Sequence, residues 1–227
     1  MTLRVVGGWV RDKLLKQDSN DIDIAMEGMP ITEFAQLIDE RANAEALAAD
    51  PNHKYVKAWG MRPASEERLK CLDVVNLMLH GQEIDLVNIY QDDNGVSSPL
   101  EDALRRDCTI NALFYNINDS RVEDWSGKGL EDLANGLIRT PIDPVKTFTS
   151  DPIKSIRVFR FADRFNFRLD ASIYEAVARK DIHALMKRQD AWIKKRELEK
   201  ISFGRQPEIT FAEMLKAGLY NYVNNIP

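Results

Sequence analysis

The stretch VVGGWVRDKLLKQDSNDIDIAMEG, residues 5–28, decides the fold, because it joins a glycine-rich turn to a pair of acids on a predicted strand. Gly7 and Gly8 separate the short apolar run LRVV from the helical pattern WVRDKLLK, which predicts a strand, a turn and a helix in that order. Further along, Asp21 and Asp23 lie in DIDIAM, whose alternation of polar and apolar residues is typical of a strand. Residues two apart on a strand face the same side, so the sequence predicts two convergent carboxylates.

These carboxylates are candidate metal ligands, because Mg²⁺ is typically held by one or two carboxylates together with substrate phosphates. A DxD tripeptide alone also occurs as a surface or capping pair. Three neighbouring features favour a nucleotide site: helix N–H groups after Gly7 and Gly8 can face a triphosphate, Arg11 can add a charge-assisted contact, and QEIDLVNIY supplies a third acid among apolar neighbours. The sequence therefore predicts a two-metal nucleotidyl-transfer site with the catalytic acids Asp21, Asp23 and Asp85, of which Asp21 and Asp23 are the metal ligands.

The formal net charge of −5 over 227 residues conceals two regions of opposite sign. Residues 1–153 contain 16 Lys and Arg against 27 Asp and Glu, a net charge of −11, whereas residues 154–205 contain 14 against 7, a net charge of +7. An acidic first part followed by a basic helical stretch is typical of a metal site beside a surface that binds a polyanion. A solvated helix face explains the charge alone equally well.

The sequence shows no pattern of a membrane protein or of a zinc protein. No apolar run approaches the roughly 20 residues that cross a bilayer, and the first residues lack a signal or transit pattern. We therefore expect no membrane partner and an intracellular, cytoplasmic protein, which in a eukaryote can also be mitochondrial or nuclear. Cys71 and Cys108 lie in apolar segments, and the three histidines share no ligand spacing, so we expect reduced core thiols.

Further along the chain, apolar patterns predict an α+β domain followed by a helical segment. ITEFAQLIDERANAEALAA is an amphipathic helix that starts near Pro30, and LDVVNLML and QEIDLVNIY form a hairpin through His80 and Gly81. PLEDALRRD predicts a short helix with Pro99 at its start, and NALFYNIN predicts a strand. From Asp151 to about residue 215 nearly every segment has a helical pattern, with Asp151 as N-cap and a proline at the first helical position.

Five ordered segments resemble the successive motifs of class II tRNA nucleotidyltransferases, the CCA-adding enzymes of the polymerase-β superfamily, to which bacterial poly(A) polymerases also belong. They are GGWVRD followed by NDIDIAM, EIDLVN, PLEDALRRDCTINALFYNI, VEDWSGKGLEDLANGLIRT and DPIKSIRVFRFADRFNF. The resemblance implies an α+β fold with a polymerase-β-like nucleotidyltransferase head, a small mixed β-sheet with helices. The head would cover residues 1–140, an all-helical neck residues 141–204, and the start of a truncated helical body residues 205–227.

The resemblance also assigns roles to the motif RRDCTINA and to the segment after it. The nucleotide's ribose and triphosphate would be held by Arg105, Arg106 and Asp107, with Asn111 close by. The connection that rotates head against neck would contain Asp124, Gly127 and Asp132.

In SDPIKSIRVFRF the resemblance implies a protein template for the incoming base. Family members use an acid and an arginine three positions apart, which share a helix face, and the matching residues here are Asp151 and Lys154. Lysine lacks the planar guanidinium fork and cannot reproduce a bidentate contact. We expect Arg157 and Arg160, further along the same helix, to contact phosphate or base.

The activity implied is template-independent addition of C, A or both to the 3′ end of tRNA, from CTP and ATP, with two Mg²⁺ ions and release of pyrophosphate. Departures from the family pattern leave alternatives open: Lys154, the eight residues between Tyr90 and Pro99, and Lys195, which precedes Arg196 where an acid is expected. The alternatives are an enzyme that adds only A or only CC, a poly(A)-adding enzyme, and a non-catalytic nucleotide- or RNA-binding module. A sugar transferase with a DxD motif leaves the two glycines unexplained.

Overall fold

A seven-stranded sheet dominates the first part of the chain in the computed structural model, which describes residues 1–52, 54, 57, 59–62, 74–79, 81–90 and 98–223. The strands of this sheet are β1 (Thr2–Val6), β2 (Ile22–Glu27), β3 (Trp59–Arg62), β4 (Val74–Leu79), β5 (Gln82–Asn88), β6 (Leu113–Asn116) and β7 (Arg121–Asp124). Their order is β3-β4-β5-β2-β1-β6-β7. β2 and β5 run parallel, whereas β1 is antiparallel to both β2 and β6, and β4 is antiparallel to both β3 and β5.

Helices follow the strands and dominate the second part of the chain. They are α1 (Gly8–Leu14), α2 (Ile31–Ala49), α3 (Pro99–Leu104), α4 (Gly129–Asn135), α5 (Pro144–Ser150), α6 (Lys154–Phe165), α7 (Ala171–Val177), α8 (Lys180–Lys187), α9 (Ala191–Ser202), α10 (Pro207–Lys216) and α11 (Tyr220–Val223). A 3₁₀ turn covers Thr109–Asn111, and two short strands, β8 (Leu137–Ile138) and β9 (Arg168–Leu169), pair in parallel. Among the described helices, none combines the length and apolar character that crossing a membrane requires.

The chain forms two compact units. The first comprises the described part of Met1–Asp102 together with Leu113–Glu123, and the second comprises Ala103–Ala112 and the described chain from Asp124 onward. α4 and β8, which the predicted head of residues 1–140 includes, thus belong to the second unit. The α+β class is confirmed, because the first unit contains the large sheet and the second is mainly helical.

One face of the sheet packs against α2. Its buried cluster consists of Met26, Ile31, Ala35, Val75, Leu77 and Leu86, with Ile24 and Ile84 packed against it. Burial of this apolar surface stabilises the first unit by roughly 25 cal/mol per Å². Because side chains alternate along a strand, the residues between these core positions on β2, β4 and β5 face the opposite side of the sheet. That side carries the polar side chains of the candidate site.

Several predicted elements are confirmed. α2 begins directly after Pro30, α3 begins at Pro99, and β4 and β5 form the predicted antiparallel hairpin, with Gly81 at a φ of 78°. Cys108 is a buried, reduced thiol whose Sγ lies 3.6 Å from Oδ1 of Asp107. The predictions for Cys71, the histidines at 53 and 80 and the loop over residues 91–97 lie outside the described residues.

The predicted start of the helical segment at Asp151 is wrong. α5 already covers Pro144–Ser150, with the side chain of Asp143 accepting from the backbone N–H of Lys146, and Asp151 is the C-cap of this helix. Asp151 takes extended dihedrals because a residue before a proline disfavours the helical region. The segment over residues 141–204 is not entirely helical either, since β9 pairs there with β8 after Asn166 ends α6 in the left-handed conformation.

Candidate active site

Two of the predicted acids of the first unit lie side by side on neighbouring parallel strands. Asp23 on β2 lies directly opposite Asp85 on β5. Asp21 directly precedes β2, two residues before Asp23. The apolar neighbours in the sequence do not bury these acids, because Asp21 is exposed and Asp23 and Asp85 are half-buried. An acid that is to contact a solvated ion and a substrate needs such access.

The carboxylates of Asp23 and Asp85 fit a divalent cation in donor type and number. Among the residues that the structure describes, no three His, Cys, Asp or Glu side chains lie close enough together to hold a metal ion by themselves. Asp23 and Asp85 supply two carboxylates, and Mg²⁺ commonly takes one or two from the protein and the rest of its ligands from phosphate and water. The donor set is therefore compatible with a divalent cation whose remaining ligands are water or phosphate.

The glycine turn lies beside these acids in the sheet. Val6, the last residue of β1, pairs with Asp23, and Gly7 and Gly8 follow directly. Gly7 has a φ of 70° and a ψ of −132°, a conformation that is open essentially to glycine alone. The turn therefore places backbone without side chains next to the acids, as the sequence predicts for the approach of a phosphate.

Arg11, predicted to contact the triphosphate, lies in an ion pair inside the first unit. Its side chain is buried, and its Nε and Nη2 atoms lie 2.8 and 2.7 Å from Oδ1 of Asp12. A Cβ atom on Gly8 would lie 3.2 Å from the same Nη2 atom. The absence of a side chain at Gly8 thus leaves room for the guanidinium, and the contact of Arg11 with phosphate stays a prediction.

In the second unit, Asp107 is the centre of a buried hydrogen-bond network. Its Oδ1 accepts from the backbone N–H of Cys108 and from the side-chain amide of Asn111, both at 2.9 Å. Its Oδ2 lies 2.7 Å from Nε and 2.6 Å from Nη2 of Arg157. Burial would raise the pKa of Asp107, but the charge of Arg157 and these hydrogen bonds outweigh it and lower the pKa to about 2. Asp107 and Asn111 therefore fix the motif that also carries Arg105, which is exposed, and Arg106, which is half-buried.

The predicted base-reading pair does not share a helix, because Asp151 precedes α6, which begins at Lys154. Oδ1 of Asp151 accepts from the backbone N–H of Ile153 at 3.1 Å. The ammonium group of Lys154 donates to the backbone carbonyl of Arg105 at 2.6 Å. Lys154 thus connects α6 to the motif RRDC, a contact that the sequence did not predict.

Arg160 is paired with an acid that sequence reasoning missed. Its Nε lies 2.7 Å from Oε2 of Glu197 on α9, and Lys200 also reaches this carboxylate at 3.3 Å. Burial would raise the pKa of Glu197, but the charges of Arg160 and Arg157 lower it. Glu197 directly follows three consecutive cations in AWIKKRELEK, and an acid at this place in a basic run is the sequence signal that could have indicated an ion pair.

A second buried acid, Asp132, links the 3₁₀ turn Thr109–Asn111 to the connection predicted to move. Asp132 accepts from the hydroxyl of Thr109 at 2.7 Å, and its other oxygen lies 3.2 Å from Nη2 of Arg139. Burial raises the pKa of Asp132 in spite of these contacts. Asp124 accepts from the hydroxyl of Ser126 and from the backbone N–H of Leu130, so both predicted acids of this segment organise local structure.

Comparison with protein families identifies this arrangement. A family model described as the poly(A) polymerase head domain matches residues 3–139, which is more than half of the chain. The chain belongs to the poly(A) polymerase head-domain family. The matched range contains the acids of β2 and β5, the glycine turn and the motif RRDC.

Two fungal relatives of this poly(A) polymerase head-domain protein carry names of tRNA enzymes. The mitochondrial CCA tRNA nucleotidyltransferase of Saccharomyces cerevisiae is 37% identical over 240 residues, which cover 98% of this chain and 42% of the relative. The tRNA nucleotidyltransferase cca1 of Schizosaccharomyces pombe is 40% identical over 190 residues, which cover 80% of this chain and 37% of the relative. The chain thus spans about two fifths of the length of these relatives.

A solved structure confirms the predicted fold. The Thermotoga maritima CCA-adding enzyme complexed with tRNA is similar with a TM-score of 0.73 at 27% sequence identity, covering 97% of this chain and 48% of that one. The polymerase-β-like nucleotidyltransferase fold of this family member, a mixed sheet with helices, is therefore confirmed, and so is its resemblance to the CCA-adding enzymes.

Proposed function

We propose that this chain is the catalytic part of a template-independent RNA nucleotidyltransferase that adds C, A or both to the 3′ end of tRNA from CTP and ATP. The observation that carries this proposal is the in-register pair of Asp23 and Asp85 beside the Gly7 turn. The names of the fungal relatives support tRNA as the substrate, and that of the Saccharomyces protein supports an intracellular, mitochondrial site of action.

In the proposed reaction, the oxygen of the RNA 3′-hydroxyl attacks the α-phosphorus of the nucleotide. A P–O bond forms between RNA and nucleotide, the bond from the α-phosphorus to the bridging oxygen breaks, and pyrophosphate leaves with the bonding electrons. The hydroxyl proton passes to solvent. Asp21, Asp23 and Asp85 would hold two Mg²⁺ ions, which when bound lower the pKa of the hydroxyl and offset the charge of the phosphates.

The protein's own groups would bind and orient the nucleotide. The backbone at Gly7 and Gly8 gives the triphosphate close access, and Arg105 and Arg106 offer guanidinium donors suited to phosphate oxygens. Four further residues stay predicted contacts to base or phosphate; they are Asp151, Lys154, Arg157 and Arg160. The two arginines among them are held by carboxylates, so their guanidinium groups are oriented before a nucleotide binds.

The proposal is tested by incubating the protein with a tRNA that lacks CCA, with Mg²⁺ and with labelled CTP or ATP. We expect extension of the RNA, and we expect Asp21→Ala and Asp23→Ala each to abolish it. The matched control is Asp18→Ala, since the side chain of Asp18 is fully exposed in the same segment. A folded wild-type protein that extends no RNA would overturn the proposal and leave nucleotide or RNA binding as the function. Omitting CTP and ATP in turn decides between full CCA addition, partial addition and poly(A) addition.

A further inference from the structure

Asn76 connects β4 to the row of acids that faces away from the α2 core. It lies directly opposite Asp85 in the antiparallel pairing of β4 and β5, and Asp85 in turn lies opposite Asp23. The three side chains therefore form one row across adjacent strands, on one face of the sheet. None of the sequence motifs includes Asn76.

The side-chain amide of Asn76 joins two carboxylates. Its Nδ2 donates to Oδ1 of Asp85 at 2.9 Å and to Oε1 of Glu83 at 2.6 Å. An asparagine amide carries two N–H hydrogens, one for each of these acceptors. Glu83 and Asp85 are two residues apart on β5, so their charges lie on the same face and repel each other. One neutral group thus holds both acids in place.

The neutrality of the amide matters for a metal ligand. The terminal torsion of an aspartate is broad, and a hydrogen bond on one oxygen fixes the plane of the carboxylate. A lysine in this place would fix it too, but its positive charge would compete with a divalent cation for the carboxylate. Hydrogen-bond partners behind a metal ligand commonly change metal affinity by about 10- to 100-fold when they are removed.

We propose that Asn76 is a positioning residue that fixes the carboxylate of Asp85 for a divalent cation and thereby sets the metal affinity of the site. This inference rests on the proposed function, because it assigns the acids of β2 and β5 to a metal ion. Asn76 acts through Asp85 and takes no part in bond formation.

The test is direct Mn²⁺ binding to the full chain, followed by the electron paramagnetic resonance signal of free Mn²⁺ without RNA or nucleotide. We expect Asn76→Ala and Asn76→Leu each to weaken binding about tenfold; the leucine variant keeps the branched arrangement of heavy atoms but has no donor. The matched control is Met78→Ala on the same face of the same strand, at an exposed position, and it should bind as wild type does. Thermal melting of each variant reports whether the fold is retained.

The outcomes of this test distinguish a failure of the inference about Asn76 from a failure of the proposed function. If both Asn76 variants melt as Met78→Ala does and bind Mn²⁺ as wild type does, or if wild type binds no Mn²⁺, the inference is wrong. If the Asn76 variants bind less Mn²⁺ and wild type extends no RNA, the inference stands and the proposed reaction fails. In an active protein we further expect the Asn76 variants to need about tenfold more Mg²⁺ for half-maximal extension, which a purely structural role would not produce.

Discussion

Asp107 carries a buried negative charge whose stability contribution depends on pH. Its pKa in the folded protein is about 2, below the ordinary value of 3.8, because Arg157 and the hydrogen bonds outweigh the effect of burial. Because folding lowers the pKa of this acid, its ionised form stabilises the folded protein above about pH 4. This stabilisation is lost as the pH falls towards 2. Asp107→Asn should therefore lower the free energy of unfolding by about 2 kcal/mol at neutral pH.

Urea unfolding at pH 7, 4 and 3 measures this change. The difference between wild type and Asp107→Asn should shrink as the pH falls through this range. Asp181→Asn is the control, because Asp181 also pairs with an arginine, Arg179, but both side chains are about half exposed. An equal loss in both variants, or a loss that does not depend on pH, would contradict the stabilising role of the buried contacts of Asp107 with Arg157 and Asn111.

At the scale of elements, the turn between β1 and α1 depends on one glycine far more than on the other. Gly7 has a φ of 70° and a ψ of −132°, which a residue with a Cβ adopts at a cost of about 1–3 kcal/mol. Gly8 is the first residue of α1, and a Cβ atom there would meet the guanidinium of the buried Arg11, with Nη2 at 3.2 Å, so this side chain would have to shift by a few tenths of an ångström. We expect Gly7→Ala to lower the midpoint of urea unfolding clearly and Gly8→Ala to lower it less. Equal effects of the two substitutions would show that the backbone conformation is not what demands glycine.

Much of the first unit could be predicted because its elements are encoded locally. Alternating residues identify β2, β4 and β5, and prolines identify the starts of α2 and α3. The start of the helical segment was missed because residues 143–152 contain two Asp-Pro pairs that both match the start of a helix, and the cap is at Asp143 rather than at Asp151. Local pattern cannot choose between them, since the choice depends on how α5 packs against α7 and α8.

Of the candidate site, too, only a part could be predicted from the sequence. The place of Asp23 on a strand follows from periodicity, whereas its position directly opposite Asp85 depends on the pairing and register of β2 and β5. The contacts of Asp107 with Arg157 and of Arg160 with Glu197 join residues 50 and 37 positions apart, which no local pattern reveals. Asn76 was missed for the same reason, because its partners are set by the register of β4 on β5.

For the whole molecule, charge is distributed in a way that suits the proposed chemistry. The sheet unit supplies the acids that would hold metal ions, while residues 154–205 carry a net charge of +7, from 14 Lys and Arg against 7 Asp and Glu. Part of this positive charge is used internally, as in the pair of Arg160 with Glu197. Lys195, which lies 3.9 Å from Glu199, and Arg196 are both exposed on α9, where an anionic partner can reach them. The excess of positive charge over residues 154–205, rather than the net charge of −5 of the whole chain, should therefore determine how strongly the proposed RNA substrate binds.

Binding of tRNA should accordingly weaken steeply with salt. If four phosphates are contacted, the affinity falls about 50- to 150-fold between 50 and 200 mM KCl, and fluorescence anisotropy with labelled tRNA measures this slope. The double variant Lys195→Ala and Arg196→Ala should reduce the slope of log affinity against log salt by about 1.5. The double variant Lys13→Ala and Arg41→Ala removes the same charge from exposed positions of the sheet unit and should leave the slope unchanged. Equal slopes in the two variants would mean that net charge, and not the basic surface of α9, drives the association.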